Sequence, residues 1–187
     1  MRVIRHADCP PAPWKNGAGS TRELWCRADA EGVLARISLA EITGDQPFSA
    51  FPGMDRVILQ LDGPPMRLTV EGQDHPIATP FAFPGEARVT CHLSAPGRAH
   101  DLNLMTRRGT CAGRMTLLSL APDASLTPDP GASLTALLAL TPCTLDASAP
   151  VTLAPLDLLL IPQPLTLRAR TAAQCVCLTV SAPAPSP

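Results

Sequence analysis

Proline and glycine interrupt this chain so often that it has little room for long helices. The 187 residues include 22 prolines and 12 glycines, and no stretch between them keeps a helical period over several turns. Both residues are typical of the turns that separate short elements. Because 45% of the residues are hydrophobic, the chain still has enough apolar side chains for a buried core. The sequence therefore predicts an all-β protein with few, short helices.

Alternation of apolar and polar residues places the strands. Side chains two residues apart share one face of a strand, so a period of two indicates a half-buried strand. This pattern predicts strands at residues 21–27, 34–42, 57–61, 66–70, 81–83, 86–94, 101–107, 115–120, 134–140, 157–161, 165–170 and 175–180. The turn signal at 62–65 predicts that 57–61 and 66–70 form a hairpin. The proline-rich tail at 182–187 is expected to be disordered.

A weak internal repeat indicates that the chain consists of two related halves. Phe83-Pro84 and Ile161-Pro162 each precede two predicted strands that a turn separates. Chance similarity between short β segments is the alternative explanation. If the repeat is real, residues 1–112 form one half and residues 113–181 the other. Many short strands with glycine and proline turns are typical of a sandwich or barrel.

Charge and hydropathy argue against two classes of partner. The formal net charge is −1 and there is no dense run of basic residues, so the electrostatic signature of a nucleic-acid binder is missing. No segment approaches the roughly 18 consecutive apolar residues that indicate a membrane span, and residues 1–6 have no apolar core of a secretion signal. We therefore expect a cytoplasmic protein that binds neither nucleic acid nor membranes.

Cysteine and histidine spacings give no indication of a metal site. The seven cysteines lack the paired C-x-x-C spacing of structural zinc, and their positions in apolar segments favour free, buried thiols. The four histidines, at positions 6, 75, 92 and 100, contain no His-x-His pair. Three imidazoles could then meet at a metal only through the tertiary fold. We expect no metal and no other cofactor.

Residues 13–24 bring unlike chemical groups together in a short segment. Their sequence is PWKNGAGSTREL, which contains a lysine, an amide, two glycines, two hydroxyls and an adjacent cation and anion. Asn16 before Gly17 is a turn signal, and glycine lets the backbone approach a bound group closely. A ligand-binding loop and an ordinary polar turn both fit this composition.

Three segments, in this order along the chain, resemble the HutD/Ves family. They are Pro13 to Gly17 with Thr21 to Leu24, Phe48 to Arg56, and Asp101 to Met105 running into Arg107-Arg108. The similarity covers residues 13–108. It implies a cupin-type fold, namely an RmlC-like jelly-roll bicupin with two related β halves. It also implies an association with bacterial histidine utilisation and no well-established reaction.

The charged and amide groups of the first half form the candidate site, and they suit a small carboxylate. Arg22 or Arg56 could form a forked pair with the carboxylate, with Lys15 as an additional charge. Asp55 and Asp101 would orient the arginines, and an asparagine would bond a neutral amide or formyl oxygen. The complete set of candidate ligand-binding residues is Lys15, Asn16, Gly17, Thr21, Arg22, Glu23, Asp55, Arg56, Asp101, Asn103 and Arg107.

Three functions fit these residues. In the first, a metal-free cupin binds a small acidic metabolite and modulates histidine utilisation without converting it; the family resemblance implies N-formylglutamate or a related intermediate. The second is a metal-independent isomerase, epimerase or hydrolase that uses Asp, His or Lys as acid and base. The third is a structural or protein-interaction β domain. We prefer the first, with catalysis and a homodimer formed through edge strands left open.

Overall fold

The computed structural model describes residues 1–162 and 165–182, and these are almost entirely β-structure. Within them, one short 3-10 helix lies at His6–Asp8. The strands are β1 (Arg2–Ile4), β2 (Ala12–Pro13), β3 (Gly19–Asp29), β4 (Gly32–Ile42), β5 (Gln46–Pro47), β6 (Met54–Asp62), β7 (Met66–Val70), β8 (Gln73–Pro76), β9 (Phe81–Pro84), β10 (Val89–Leu93), β11 (Ala99–Arg107), β12 (Ala112–Leu120), β13 (Ser125–Leu126), β14 (Ala132–Ala139), β15 (Cys143–Asp146), β16 (Val151–Leu153), β17 (Leu158–Ile161), β18 (Leu167–Ala169) and β19 (Ala173–Ser181). The prediction of an all-β protein is confirmed.

The chain divides into two compact units. The N-terminal unit comprises Cys9–Gly113, and the C-terminal unit combines Met1–Asp8 with the chain from Arg114 onward. The expected halves were residues 1–112 and 113–181, and the observed units differ from them at the N-terminus. The reason is that β1 pairs with β17, which places the first residues in the C-terminal unit. The expected disordered tail, apart from residue 182, lies outside the described residues.

Two sheets enclose the core of the N-terminal unit. One sheet has the order β2-β3-β4-β11-β6-β9 and the other has the order β5-β10-β7-β8. Apolar side chains from both sheets pack together, among them Ile42 and Ile58 from the first and Leu68 and Cys91 from the second. Side chains that share a strand face with Ile58 are therefore directed between the sheets, because alternate residues point to the same side.

Two further sheets form the C-terminal unit. Their orders are β1-β17-β14-β19-β12 and β13-β18-β15-β16. The core between them includes Leu137, Leu145, Leu153 and Cys175, all of them buried. Leucines and small residues therefore fill this core, and the buried Asp157 of this unit is paired with Arg5 at 2.6 Å.

The two units repeat a single strand order. In the larger sheets, β4-β11-β6-β9 corresponds to β12-β19-β14-β17; in the smaller sheets, β5-β10-β7-β8 corresponds to β13-β18-β15-β16. Eight consecutive strands thus follow the same path twice, with β1, β2 and β3 added outside the repeat. The sequence repeat at Phe83-Pro84 and Ile161-Pro162 lies at matching points of this path, at the ends of β9 and β17.

The expected hairpin between residues 57–61 and 66–70 is wrong. β6 pairs with β11 and β9, whereas β7 pairs with β10 and β8 in the other sheet. Pro64 and Pro65 have no N–H to continue a ladder, so the chain crosses between sheets at this point. The Gln60 side chain holds the crossing: its Nε2 donates to the Pro64 carbonyl at 2.7 Å and its Oε1 accepts from the Met66 N–H at 2.8 Å.

A matched pair of leucine truncations tests the assignment of the C-terminal core. Leu145 is 1% exposed inside this core, while Leu117 on β12 is 43% exposed. Leu145→Ala should lower the free energy of unfolding by about 3 kcal/mol, because it removes buried methyl groups and leaves a cavity. Leu117→Ala should change it by less than about 0.5 kcal/mol. Denaturant unfolding measures both values, and equal effects would contradict the assignment.

Candidate functional site

A cavity of about 630 Å³ lies within the N-terminal unit. Its volume is within the usual range for sites that bind small molecules. Strands β3, β4, β6 and β11 and the segments around β2 and β5 provide the lining. It consists of Pro13, Trp14, Lys15, Asn16, Thr21, Arg36, Ser38, Ala40, Pro47, Phe48, Ser49, Phe51, Arg56, Asp101, Asn103 and Met105. The cavity therefore combines aromatic surface with a small number of charged and amide groups.

Strand register explains why polar groups meet inside this unit. Asn103 on β11 lies opposite Ser38 on β4 and opposite Ile58 on β6. Opposite residues of paired strands share a face, so all three point between the sheets. Asp101 is two residues before Asn103 on the same face. Asp101, Asn103, Met105 and Arg107 alternate along β11 and form the polar face predicted for residues 101–107, of which the first three residues are buried.

Arg56 carries a guanidinium into the interior between three phenyl rings. Its side chain is 4% exposed, and its Cζ lies 5.4 Å, 5.4 Å and 5.0 Å from the ring centres of Phe48, Phe51 and Phe83. Cation–π attraction offsets part of the cost of taking the charge out of water. Burial lowers the pKa of Arg56 to about 10, although Asp101 opposes the shift. The guanidinium thus stays protonated at neutral pH.

The hydrogen-bonding capacity of Arg56 is mostly unused. Its Nε donates to Asn103 Oδ1 over 3.4 Å, and one terminal nitrogen donates to the Ser49 carbonyl over 3.5 Å. Both distances are longer than a well-formed N–H···O bond, and the guanidinium has five N–H donors. Donors that remain available in a cavity are suited to an incoming oxygen anion.

Asp101 places a carboxyl group in the same cavity without a partner. The residue is 1% exposed, and its Oδ1 is buried with no hydrogen bond in the described part of the chain. Burial raises the pKa of Asp101 to about 7, while the positive charge of Arg56 acts in the opposite direction. The two groups interact electrostatically, yet they form no ion pair among the described contacts. An isolated buried carboxyl is costly, and such groups are frequent at functional sites.

The loop that precedes β3 forms one wall of the cavity. Trp14 Nε1 donates to Thr21 Oγ1 at 2.7 Å, and Asn16 Nδ2 donates to Gln46 Oε1 at 3.1 Å. Gly19 allows the indole to pack closely, because a Cβ at this position would lie 2.7 Å from the Trp14 ring. Lys15 lines the cavity and makes no hydrogen bond or ion pair with other described residues. The amide of Asn16 thus supports the loop, while Lys15 is available as a charge.

Six of the eleven predicted site residues line the cavity and five do not. Those that line it are Lys15, Asn16, Thr21, Arg56, Asp101 and Asn103; those outside the lining are Gly17, Arg22, Glu23, Asp55 and Arg107. Gly17 turns the loop with φ of +71°. The expectation that Lys15, Arg22, Arg56 and Asn103 gather in one concavity therefore fails for Arg22.

The charged residues outside the lining have partners elsewhere. Arg22 donates to the Cys9 carbonyl. It lies opposite Leu39, on the other strand face from Ser38 and Ala40, which explains its position. Glu23 accepts from Arg36 at 2.8 Å. Asp101 acts on Arg56 through its charge but makes no side-chain hydrogen bond to it among the described contacts, so its role in orienting the arginine stays a prediction.

Two ion-pair clusters account for the remaining two residues. Asp55 accepts from Arg108 at 2.7 Å rather than from an arginine of the cavity. Arg107 donates to Asp29 at 2.8 Å and to Glu31 at 3.0 Å. These exposed pairs join strand ends and loops, and pairs of this kind add little to stability.

The lining contains residues that sequence reasoning did not include in the site. Arg36, Ser38 and Ala40 reach it from β4, and Met105 reaches it from β11. The period of two in residues 34–42 already placed Arg36, Ser38 and Ala40 on one face. The missing information was that β4 and β11 are neighbours, which only the sheet order supplies.

The C-terminal unit has different groups at the matching positions. In the N-terminal unit, Arg56 on β6 lies opposite Phe83 on β9. At the matching place in the C-terminal unit, Thr135 on β14 lies opposite Ile161 on β17, so Thr135 is the counterpart of Arg56. Asp101 on β11 lies opposite Gln60 on β6. At the matching place, Cys175 on β19 lies opposite Ala139 on β14, so Cys175 is the counterpart of Asp101. The same path thus carries two buried ionisable groups in one unit and, at the matching positions, a hydroxyl and a thiol in the other.

Two findings bear on metal and membrane chemistry. Among residues 1–162 and 165–182, no group of three or more His, Cys, Asp or Glu side chains is placed to hold a metal ion. The same part of the chain contains no helix with the length and apolar character needed to span a membrane.

Curated relatives match mainly one part of the chain. A protein of 21.2 kDa encoded in the hutC 3′ region of Pseudomonas putida is 40% identical over 111 residues, which is 56% of this chain and 57% of that protein. The chain thus matches little more than half the length of this relative.

Solved structures are similar over nearly the whole chain. HutD from Pseudomonas fluorescens SBW25 has a TM-score of 0.82 and 27% identity, and the match covers 98% of this chain and 99% of that one. A cupin 2 conserved barrel domain protein from Leptotrichia buccalis has a TM-score of 0.62 and 9% identity over 96% of this chain and 100% of that one, which is evidence for a cupin-like fold alone. The HutD family model matches residues 6–179. The resemblance to the HutD/Ves family is therefore confirmed, and the chain belongs to the HutD family.

Proposed function

We propose that the N-terminal unit binds a small carboxylate metabolite in its cavity, with Arg56 as the main anchor. The observation that carries this proposal is the buried guanidinium, which is held by three phenyl rings and has donors left over inside a cavity of small-molecule size. A charge fixed in this way needs little reorganisation when an anion arrives, so most of the interaction energy is available for binding.

The charge of the lining favours an anion. Lys15 and Arg56 contribute two positive charges that no carboxylate of the described residues contacts, whereas Asp101 is the acidic residue of the lining. Arg36 is also present, but Glu23 pairs with it. A ligand carboxylate could accept two N–H bonds from the guanidinium in the forked geometry that arginine prefers.

The ligand we propose is N-formylglutamate or a closely related intermediate of histidine degradation. Support comes from the HutD family and from the relative encoded in the hutC 3′ region of Pseudomonas putida. In this proposal the protein is cytoplasmic, binds the metabolite without a metal and modulates histidine utilisation. A homodimer stays a prediction.

We assign each unit as one half of an RmlC-like jelly-roll bicupin, with the ligand in the N-terminal half. The repeated order of eight strands in two sheets supports this assignment, because two-sheet jelly rolls have eight strands.

A catalytic function is the second candidate, and Asp101 is the observation that favours it. A buried carboxyl whose pKa is about 7 could accept or donate a proton near neutral pH, as an isomerase, epimerase or hydrolase requires. The third candidate, a purely structural β domain, gives no reason for an unpartnered carboxyl in a cavity.

One experiment separates the three candidates. Calorimetric titration with N-formylglutamate, urocanate and glutamate measures binding, and NMR of each mixture over hours measures conversion. Saturable binding with unchanged ligand is the result we expect. Conversion would establish the catalytic candidate instead, and the absence of both binding and conversion would contradict the proposed function.

Arg56→Met tests the anchor. The substitution removes the charge but keeps a long side chain between the phenyl rings, so we expect N-formylglutamate affinity to fall by about 30-fold or more, equivalent to ~2 kcal/mol. The thermal midpoint should stay constant or rise, because an apolar side chain has no desolvation cost.

Arg22→Met provides the matched control for Arg56→Met. Arg22 lies outside the cavity lining, so this substitution should leave affinity within about twofold. Asn103→Ala, which removes an amide from the lining, should weaken binding by about tenfold, equivalent to roughly 1.4 kcal/mol. Equal losses in all three variants, measured by calorimetry, would show that Arg56 is not the anchor.

A further inference from the structure

Asp101 is unexplained by a site that binds carboxylate groups alone. Asp101 lines the same cavity as Arg56, and its buried Oδ1 has no hydrogen-bond partner in the described structure. A ligand with only carboxylates would leave this group buried and unpaired, and would bring like charges together when Asp101 is ionised. An unsatisfied buried acceptor is a strong source of discrimination between ligands, because a ligand that fails to bond it loses affinity.

The groups around Asp101 do not satisfy it. Across the ladder, its neighbours are Ala40 on β4 and Gln60 on β6, and the Gln60 amide is bonded to the crossing at residues 62–66. The Asn103 Oδ1 accepts from Arg56. The Oδ1 of Asp101 can therefore accept a hydrogen bond from a donor on a ligand that enters the cavity.

We propose that the cavity selects carboxylates that also carry an N–H donor, with the carboxylate bound by Arg56 and the N–H bound by Asp101. This inference rests on the proposed function and specifies its ligand class. An ammonium group and an amide N–H supply the same donor chemistry. The cavity is then a two-point site: Arg56 binds the carboxylate of the ligand, and Asp101 binds its N–H group.

Protonation of Asp101 gives the two-point site a characteristic pH dependence. In the free protein burial raises the pKa of Asp101 to about 7. An N–H donor favours the ionised carboxylate, so affinity for such a ligand should fall as pH falls through about 7. A dicarboxylate without N–H favours the protonated form, so its affinity should fall as pH rises through the same range. The two ligand types thus give slopes of opposite sign.

Other charged or titratable groups near Asp101 come from several strands. Arg56 on β6, Cys91 on β10 and His100 on β11 interact with it electrostatically, and Arg36 on β4 acts on Arg56. Burial raises the pKa of Cys91 to about 12, so its thiol is neutral between pH 5 and 9. The ring Nδ1 of His100 lies 2.7 Å from Asp62 Oδ1. His100→Gln therefore serves as a control that removes this imidazole from the surroundings of Asp101.

Calorimetry of the unmodified protein with three related ligands provides the test. Glutamate carries an ammonium group, N-formylglutamate carries an amide N–H, and glutarate has the same carbon chain without nitrogen. We expect glutarate to bind at least about tenfold more weakly than the better of the other two. Whichever of those two binds more tightly identifies the donor.

The outcomes separate this inference from the proposed function. If glutarate binds as tightly as both nitrogen-containing ligands, the two-point site is wrong while carboxylate binding at Arg56 stands. If none of the three ligands binds, both are contradicted. Affinities measured between pH 5.5 and 8.5 should rise with pH for the nitrogen-containing ligand and fall with pH for glutarate, in the wild type and in His100→Gln alike. If the pH dependence disappears in His100→Gln, the assignment to Asp101 is wrong.

Asp101→Asn is the variant that isolates the carboxyl. It keeps the shape of the side chain and a neutral acceptor oxygen but cannot ionise, so the preference over glutarate should shrink and the pH dependence should be lost. Retention of the full preference would overturn the proposal. The variant should also unfold at a higher temperature than the wild type at pH 8. This difference should shrink toward pH 4, because a carboxyl with a raised pKa lowers folded-state stability as pH rises.

Discussion

The burial of the Arg56 guanidinium between two β-sheets is the constraint on which the N-terminal unit depends. Removing a cation from water costs free energy, and the structure offsets this cost with three aromatic rings and the nearby charge of Asp101. Neither the aromatic rings nor the charge of Asp101 occupies the N–H donors of the guanidinium with a hydrogen bond. The aromatic side chains thus hold the charge in place while most of its N–H donors have no partner among the described residues.

The repeated strand order shows that this arrangement is a matter of side chains and not of topology. Both units run through the same eight strands in the same order. Thr135 and Cys175 occupy the positions that match Arg56 and Asp101, and the core of the C-terminal unit is made of residues such as Leu137 and Leu145. One unit therefore has a cavity lined by charged side chains, while the matching positions of the other carry no charge.

Part of the candidate site could be predicted because it lies in short, distinctive segments. Lys15, Asn16 and Arg56 belong to motifs that are unusual in composition, and these residues do line the cavity. Arg22 could not be placed, since a single position along β3 decides which face a side chain takes. Asp55 and Arg107 have partners distant in sequence, Arg108 and Asp29, which attract them away from the cavity.

The sequence by itself determined the all-β class, most strand positions and the polar face of residues 101–107, because these follow from local periodicity and turn chemistry. The tertiary structure decided which strands are neighbours. It separated β6 from β7, placed β1 with β17, and set β4 beside β11 so that Ser38 and Asn103 face one interior. Pairing between distant strands depends on how two sheets close over a shared core, and no local pattern contains that information.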